Sequence, residues 1–163
     1  MQYTYEAYLD IETTGLSRRY HHITVIGIYL TRGVEEQLVQ LVGDDVTADN
    51  VLRALRRVDR VFTYNGSRFD LPFIEHRLGV SFDGLFSHCD LMYDCWRRDL
   101  RGGLKAVERR LGITRETEGV DGLEAVRLWR RYAQHGDREA LAALLKYNEE
   151  DVRNLRTLRE RLS

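Results

Sequence analysis

Tyr8-Leu9-Asp10-Ile11-Glu12-Thr13-Thr14 (YLDIETT) ends an apolar run near the N-terminus with two carboxylates. Successive strand side chains point to opposite faces, so Asp10 and Glu12 emerge together while Ile11 goes the other way. Two unit charges about 4 Å apart repel by roughly 1 kcal/mol in water and roughly 4 kcal/mol at an effective dielectric of 20. Such a pair is tolerated either as a solvated strand end or around a hard divalent cation, which takes oxygen ligands. The rest of the chain bears on that choice.

Residues 5–11 read as the first strand, with a turn over 13–16. The loop 17–22 (SRRYHH) mixes cations and aromatics, which suits a nucleic-acid backbone as well as plain solvent. Residues 23–30 (ITVIGIYL) are apolar and β-branched, a buried strand, and 36–42 form a third, ended by Gly43-Asp44-Asp45. Thr47 can cap a helix running to about Val58, with Val51, Leu52, Leu55 and Val58 at helical spacing. Residues 60–64 form the next strand, Asn65-Gly66 turns the chain, and a helix over 71–78 carries Pro72 in its first turn and stops at Gly79. A fifth strand is predicted over 87–92. From Tyr93 onward the pattern is helical, interrupted at Gly102-Gly103, Gly112 and 119–122. Leu123, Val126, Leu128 and Trp129 mark one amphipathic helix; 140–145 and 152–162 mark two more, or one bent helix. Strands gathered first and helices after predict a sheet covered by helices, in an α/β or α+β domain.

At 163 residues, 43% apolar and 31% charged, the chain has the composition of one globular domain, residues 1–163. No apolar run approaches the roughly 18 residues of a membrane span, and the N-terminus lacks a signal pattern, so the expected compartment is the cytoplasm, with no membrane partner. Cys89 and Cys95 are read as free thiols, and Trp96 and Trp129 as packing residues. The net charge of −1 argues against a generic polyanion binder, which usually carries a basic excess. Its distribution is uneven: residues 1–96 hold 9 Lys/Arg against 14 Asp/Glu, a balance of −5, and residues 97–163 hold 16 against 12, a balance of +4. An acidic half beside a basic half fits a metal-dependent enzyme acting on phosphates; arginines on solvent-facing helices explain the second half equally well.

Two further acidic signals follow. In FTYNGSRFD (62–70), Asp70 either caps the helix after it or joins a site. In Tyr147-Asn148-Glu149-Glu150-Asp151, Tyr147 and Asp151 share one helical face, or the stretch is a solvated acidic turn. An acid pair at a strand end, Asn-x-x-x-Phe-Asp after another strand and Tyr-x-x-x-Asp on a late helix are a poor fit to coincidence. In this combination the sequence resembles the DnaQ-like, or DEDD, 3′–5′ exonucleases of the ribonuclease-H-like superfamily. Residues 10–16 (DIETTGL) match the first motif, 65–70 the second, and 147–151 the third in its tyrosine form, DEDDy. The histidine form needs His where Lys146 stands. The stretches LKAVERRLGI (104–113) and GDREALAALLKYNEEDVRNL (136–155) look most like YprB-type domains.

The resemblance implies a ribonuclease-H-like α/β fold, a central five-stranded mixed sheet flanked by helices. It implies a phosphodiester hydrolase that shortens single-stranded DNA or RNA from its 3′ end to nucleoside 5′-monophosphates. Asp10, Glu12, Asp70 and Asp151 are the expected metal ligands, for two divalent ions, Mg²⁺ or Mn²⁺, which suit all-oxygen ligation better than zinc does. Tyr147, an ordinary phenol with a pKa of about 10, is no strong base and is expected to orient the attacking water. Thr13, Thr14, Leu16, Asn65 and Phe69 are expected around the terminal nucleotide, though Leu16 and Phe69 fit a core equally well. Two other readings stand beside this one. The first is a non-catalytic nucleic-acid-binding or scaffold module with the same fold, disfavoured because all four carboxylates and Tyr147 are present. The second is a ribonuclease-H-type endonuclease, whose second carboxylate would come from a downstream helix.

Overall fold

The first strand, β1 (Tyr5–Thr13), sits at the centre of the sheet and splits its side chains between two cores. It pairs antiparallel with β2 (Ile23–Arg32), and parallel with β4 (Val58–Thr63) through Tyr5 to Tyr8. Outside these lie β3 (Glu35–Val42), antiparallel to β2, and β5 (Ser87–Asp90), parallel to β4. The order is β3-β2-β1-β4-β5, the five-stranded mixed sheet expected. The computed structural model describes residues 4–163; residues 1–3 of the expected domain lie outside them.

Ala7, Leu9 and Ile11 of β1, with Ile26, Ile28 and Leu30 of β2, face α1 (Ala48–Ala54) and α2 (Asp70–Leu78). Tyr8, Tyr29 and Phe62 take the opposite face. There they pack with Leu91 and Cys95 of α3 (Leu91–Arg97), Val107 of α4 (Leu104–Leu111), and Val152, Leu155 and Leu158 of α6 (Arg138–Leu162). The remaining helix, α5 (Gly122–His135), meets α6 and Val25 through Ala125 and Leu128. Fully burying one such Leu, Ile or Phe contributes about 1.5–3 kcal/mol, so the two faces hold the sheet between helical layers.

Several boundaries differ from the sequence reading: β1 runs on to Thr13 and β2 to Arg32, each two residues past its expected end. Thr47 does cap α1, accepting from Asn50 N at 3.1 Å, but the helix ends at Ala54. Val58 is instead the first residue of β4, opposite Tyr5, because sheet pairing outweighs its place on the helical pattern. The fifth strand ends at Asp90, whose carboxylate accepts from Met92 N at 3.1 Å and starts α3, so Leu91 and Met92 are helical. The last helical stretches are one unbroken helix of 25 residues, capped by Asp137 on Ala140 N. The polar segment between its two apolar halves is where α6 crosses the acidic end of β1, so it is polar without being a break. Cys89 and Cys95 are free, as expected.

Candidate active site

Asp10 and Glu12 lie on the α6 face of β1, two residues beyond Tyr8. Opposite that end of the strand, α6 presents Tyr147, Asn148 and Asp151 from successive positions of one buried stripe. One carboxylate oxygen from each of Asp10, Glu12 and Asp151 lies within 4.8 Å of the others. Two residues from the start of the chain and one from its end are thereby gathered at one point.

The close approach depends on a gap in β2. On the α6 face, Val25 and Tyr29 carry side chains and Gly27, opposite Asp10, carries none. A Cβ at position 27 would lie 2.1 Å from Asn148 Oδ1. Asn148 fills that gap, fully buried, donating Nδ2 to Asp10 O at 3.3 Å and accepting from Gln40 Nε2 at 3.1 Å. These bonds tie α6 to β1 and β3 three residues before Asp151.

The electrostatics are those of a cluster short of positive charge. Burial raises the Asp10 carboxyl well above the usual range, and the charges of Asp151, Glu12 and Asp70 push the same way. Glu12 is raised by burial and by Asp151, against hydrogen bonds from Asp10 and Asn148. Burial raises Asp151 too, opposed first by Arg115. Both β1 carboxylates keep part of their surface open to the cleft, yet Glu12 Oε1 is buried without a hydrogen-bond partner. A buried carboxylate oxygen left unsatisfied is costly, and an all-oxygen set of this kind suits a hard divalent cation.

Asp70 stands apart from this trio. It does not cap α2: Phe69 occupies the cap position without a side-chain bond, and Asp70 Oδ2 accepts from Ile11 N at 3.0 Å. Ile11 lies beyond the last β1 residue paired to β4, so its N–H lacks a strand partner and Asp70 supplies one. Burial pushes the Asp70 carboxyl up to about 7 against that hydrogen bond, and its charge acts on Asp10.

Tyr147 is buried at the base of the cleft, with Lys105 Nζ 4.6 Å and the Arg115 guanidinium 5.6 Å from its ring centre. Burial and then the negative charge of Asp151 raise its phenol, so it remains a neutral O–H. Arg115 was not foreseen. Its side chain is 3% exposed and donates Nε to Glu108 Oε2 at 2.6 Å, one Nη to Glu108 Oε1 at 3.1 Å, and the same Nη to Asp151. Glu108, Asp151 and Arg115 lie on three separate segments, so no periodicity links them. Glu150, two residues before Val152, is no solvated acid: it accepts from Glu116 N at 2.8 Å and Thr117 N at 3.0 Å, pinning the Arg115 segment.

A cleft of about 520 Å³ opens from the carboxylates. Thr13, Thr14, Leu16 and Phe69 line it, as do Leu123, Val126 and Arg130 of α5. Leu16 is 86% exposed, which removes the core alternative for that residue. Thr13 Oγ1 donates to Gly15 O at 2.6 Å, and Thr14 Oγ1 accepts from His22 N at 3.1 Å, so the turn after β1 is braced from within. Asn65 does not join this lining: it turns the chain after β4, at φ 61°, and donates its N–H to Asp90 Oδ1 at 2.8 Å. Its place is set by that turn. Leu123 and Val126, read as part of an amphipathic helix with Leu128, belong to the cleft wall, while Ala125 and Leu128 face the core. Trp129 packs against the α5–α6 core, as expected, and Trp96 is half-buried beside Tyr93. Among the described residues, no helix is long and apolar enough to cross a membrane.

Comparison with known proteins agrees with this architecture. The YprB protein of Bacillus subtilis is 30% identical over 166 residues, covering 93% of this chain and 40% of that protein, so the chain spans well under half of that relative's length. The family B DNA polymerase of Pyrobaculum calidifontis matches with a TM-score of 0.71 at 16% identity, over 98% of this chain and 24% of the polymerase. Brucella melitensis NrnC with bound Mg²⁺ matches with a TM-score of 0.62 at 20% identity, over 96% of this chain and 71% of that one. Residues 7–163, nearly the whole chain with all of the clustered carboxylates, match the RNase_H superfamily, and the protein belongs to it.

Proposed function

We propose that this domain is a metal-dependent 3′–5′ exonuclease of the DEDDy type that acts on single-stranded DNA or RNA and releases nucleoside 5′-monophosphates. The observation that carries the reading is the convergence of Asp10, Glu12 and Asp151 within 4.8 Å, with Glu12 Oε1 lacking any partner, at the closed end of an open cleft. Asp10, Glu12 and Asp151 would hold two Mg²⁺ or Mn²⁺ ions, with Asp70 as the fourth acidic group. Such ions, when bound, supply charge to the scissile phosphate and acidity to the attacking water. Brucella NrnC, which shares the fold, has a structure with bound Mg²⁺.

The chain's own groups account for the rest of the chemistry. Asp10 interacts with both Glu12 and Asp151 and would share in holding an ion with either of them. Tyr147, kept neutral, offers an O–H that orients the nucleophilic water and takes no proton from it. Leu16, exposed and lining the cleft, would press against the last base, with Phe69 also lining the cleft. An apolar wedge of this kind favours a frayed end over an internal stretch. Arg115 holds Asp151 in line and offsets part of the cluster's charge.

The test offers 5′-labelled single strands of DNA and RNA to the protein with Mg²⁺ or Mn²⁺, with and without chelator. Stepwise loss from the 3′ end is expected, and its abolition in Asp10→Asn and Asp151→Asn variants. Tyr147→Phe should lower kcat more than it weakens strand binding. Cleavage of a circular single strand, or shortening that persists under chelation, would refute the assignment.

A further inference from the structure

Beside the cleft lies a cationic cluster built on an aromatic post. Trp96 and Tyr93 of α3 meet edge to face, ring centres 5.2 Å apart at 90°. The Arg68 guanidinium lies 5.4 Å from the Trp96 ring centre and 5.8 Å from that of Tyr93, and the Arg101 guanidinium lies 5.2 Å from Trp96. Both arginines are exposed, and among the described residues neither guanidinium makes an ion pair or a hydrogen bond. The neighbouring cations differ, since Arg97 pairs with Asp94 and Arg98 donates to Leu162 O. Two planar forks, each with five unused N–H donors, are thus held in place by ring stacking and not by carboxylates.

Their position gives the cluster a ligand. Arg68 immediately precedes Phe69, which lines the cleft. Arg68 also shares with Leu16, Arg18, Arg19 and Phe69 a second hollow of about 320 Å³, which adjoins the cleft through Leu16 and Phe69. A strand whose end lies in the cleft and which leaves over Leu16 and Phe69 therefore passes Arg68 first, then the Trp96 post and Arg101. We propose that Arg68 and Arg101, ordered on Trp96, clamp the backbone phosphates of a single strand upstream of its 3′ end. The proposal rests on the exonuclease reading for where the end of the strand lies. Phosphate is the class of ligand because bidentate guanidinium recognition suits its oxygens, and contact with the Trp96 ring biases both side chains toward the positions that binding would require. The clamp reads what DNA and RNA share, so it acts alike on both.

The experiment measures anisotropy of labelled 12-nucleotide DNA and RNA strands across a salt series, under chelation, for the wild type and Arg68→Ala/Arg101→Ala. Hydrolysis of the p-nitrophenyl ester of thymidine 5′-monophosphate, too short to reach the clamp, is measured in parallel with Mn²⁺. Loss of two phosphate contacts should weaken both strands at least tenfold and flatten the slope of log K against log salt by about 1.4, at about 0.7 per phosphate. Ester hydrolysis should stay within twofold. Trp96→Leu, which leaves both charges but removes their post, should weaken binding with little change of slope; its melting curve reports on folding. Unchanged affinity and slope in the double variant would overturn the clamp while leaving the exonuclease reading intact. Altered binding in a protein whose wild type hydrolyses neither strand nor ester would overturn the exonuclease reading and keep the clamp.

Discussion

Replacing Gly27 by alanine tests how the two ends of the chain are brought together. The added Cβ would lie 2.1 Å from Asn148 Oδ1, and ordinary contact begins at 3.4 Å, so the amide must retreat by about 1.3 Å. Asn148 is fully buried on α6, and its hydrogen bonds to Asp10 O and Gln40 do not survive such a move. Overpacking of a well-filled interior costs about 1–3 kcal/mol, and each lost hydrogen bond about 1 kcal/mol more. With a urea m-value of about 2 kcal/mol/M, a loss of roughly 3 kcal/mol lowers the unfolding midpoint by about 1.5 M. Asp151 lies three residues further along the same helix, so it moves with Asn148 away from Asp10. A misplacement of about 1 Å costs on the order of 100-fold in rate, and nuclease activity should fall by that much in molecules that remain folded. Urea titration followed by fluorescence and a single-turnover nuclease assay read both effects. Adding Asn148→Ala removes the obstruction and should return part of the stability. A midpoint shift under about 0.25 M, or a Gly27→Ala cost undiminished by the second change, would refute the packing argument.

Arg115→Met leaves the Glu108 and Asp151 carboxylates without their shared cation, which should cost about 3–5 kcal/mol by chemical denaturation, whereas Glu108→Leu with Arg115→Met should recover only the part due to Glu108, since Asp151 still lacks its cation. The pH dependence follows from the raised carboxyls: Asp10, Glu12 and Asp70 hold protons in the folded state that the unfolded chain releases near pH 4. Their contribution to stability is therefore complete below about pH 4 and is lost as pH rises, that of Asp70 through about 7. In chelator, the melting temperature should fall between about pH 5 and pH 8, and added Mg²⁺ should raise it more at the alkaline end, where no proton opposes binding. A melting temperature insensitive to pH in chelator would contradict this. Leu16→Ser should leave stability within about 0.5 kcal/mol, since the side chain is exposed, while raising KM for single strands several-fold.

The acid pair of β1 was legible because strand periodicity places residues 10 and 12 on one face whatever surrounds them. Tyr147 and Asp151 were legible for the same kind of reason on a helix. Both are local rules that put each pair on one face; it was the resemblance to the DEDD exonucleases that joined the pairs into one candidate site. Arg115 was not legible: its two carboxylates lie 7 and 36 residues away, and only the folded chain makes them neighbours. Gly27 carried a faint signal, a glycine inside an otherwise β-branched strand, which often marks a close approach by another element. What approaches it, the Asn148 amide, belongs to a helix more than a hundred residues later. Val58 and Met92 were misplaced because each fits two patterns, and pairing with Tyr5 in one case and capping by Asp90 in the other settled the choice.

The long C-terminal helix is at once a wall of the interior and the carrier of one of the clustered carboxylates, Asp151. Leu155 and Leu158 seat it on the sheet, and Arg159 donates to Glu6 Oε2 at 2.8 Å and to the Tyr8 phenol oxygen at 3.1 Å, only a few residues before Asp10. A chain still emerging from the ribosome, or one whose last helix has come loose, therefore holds Asp10 and Glu12 without Asp151. It cannot assemble the proposed ion site. Completion of folding would itself be what completes that site.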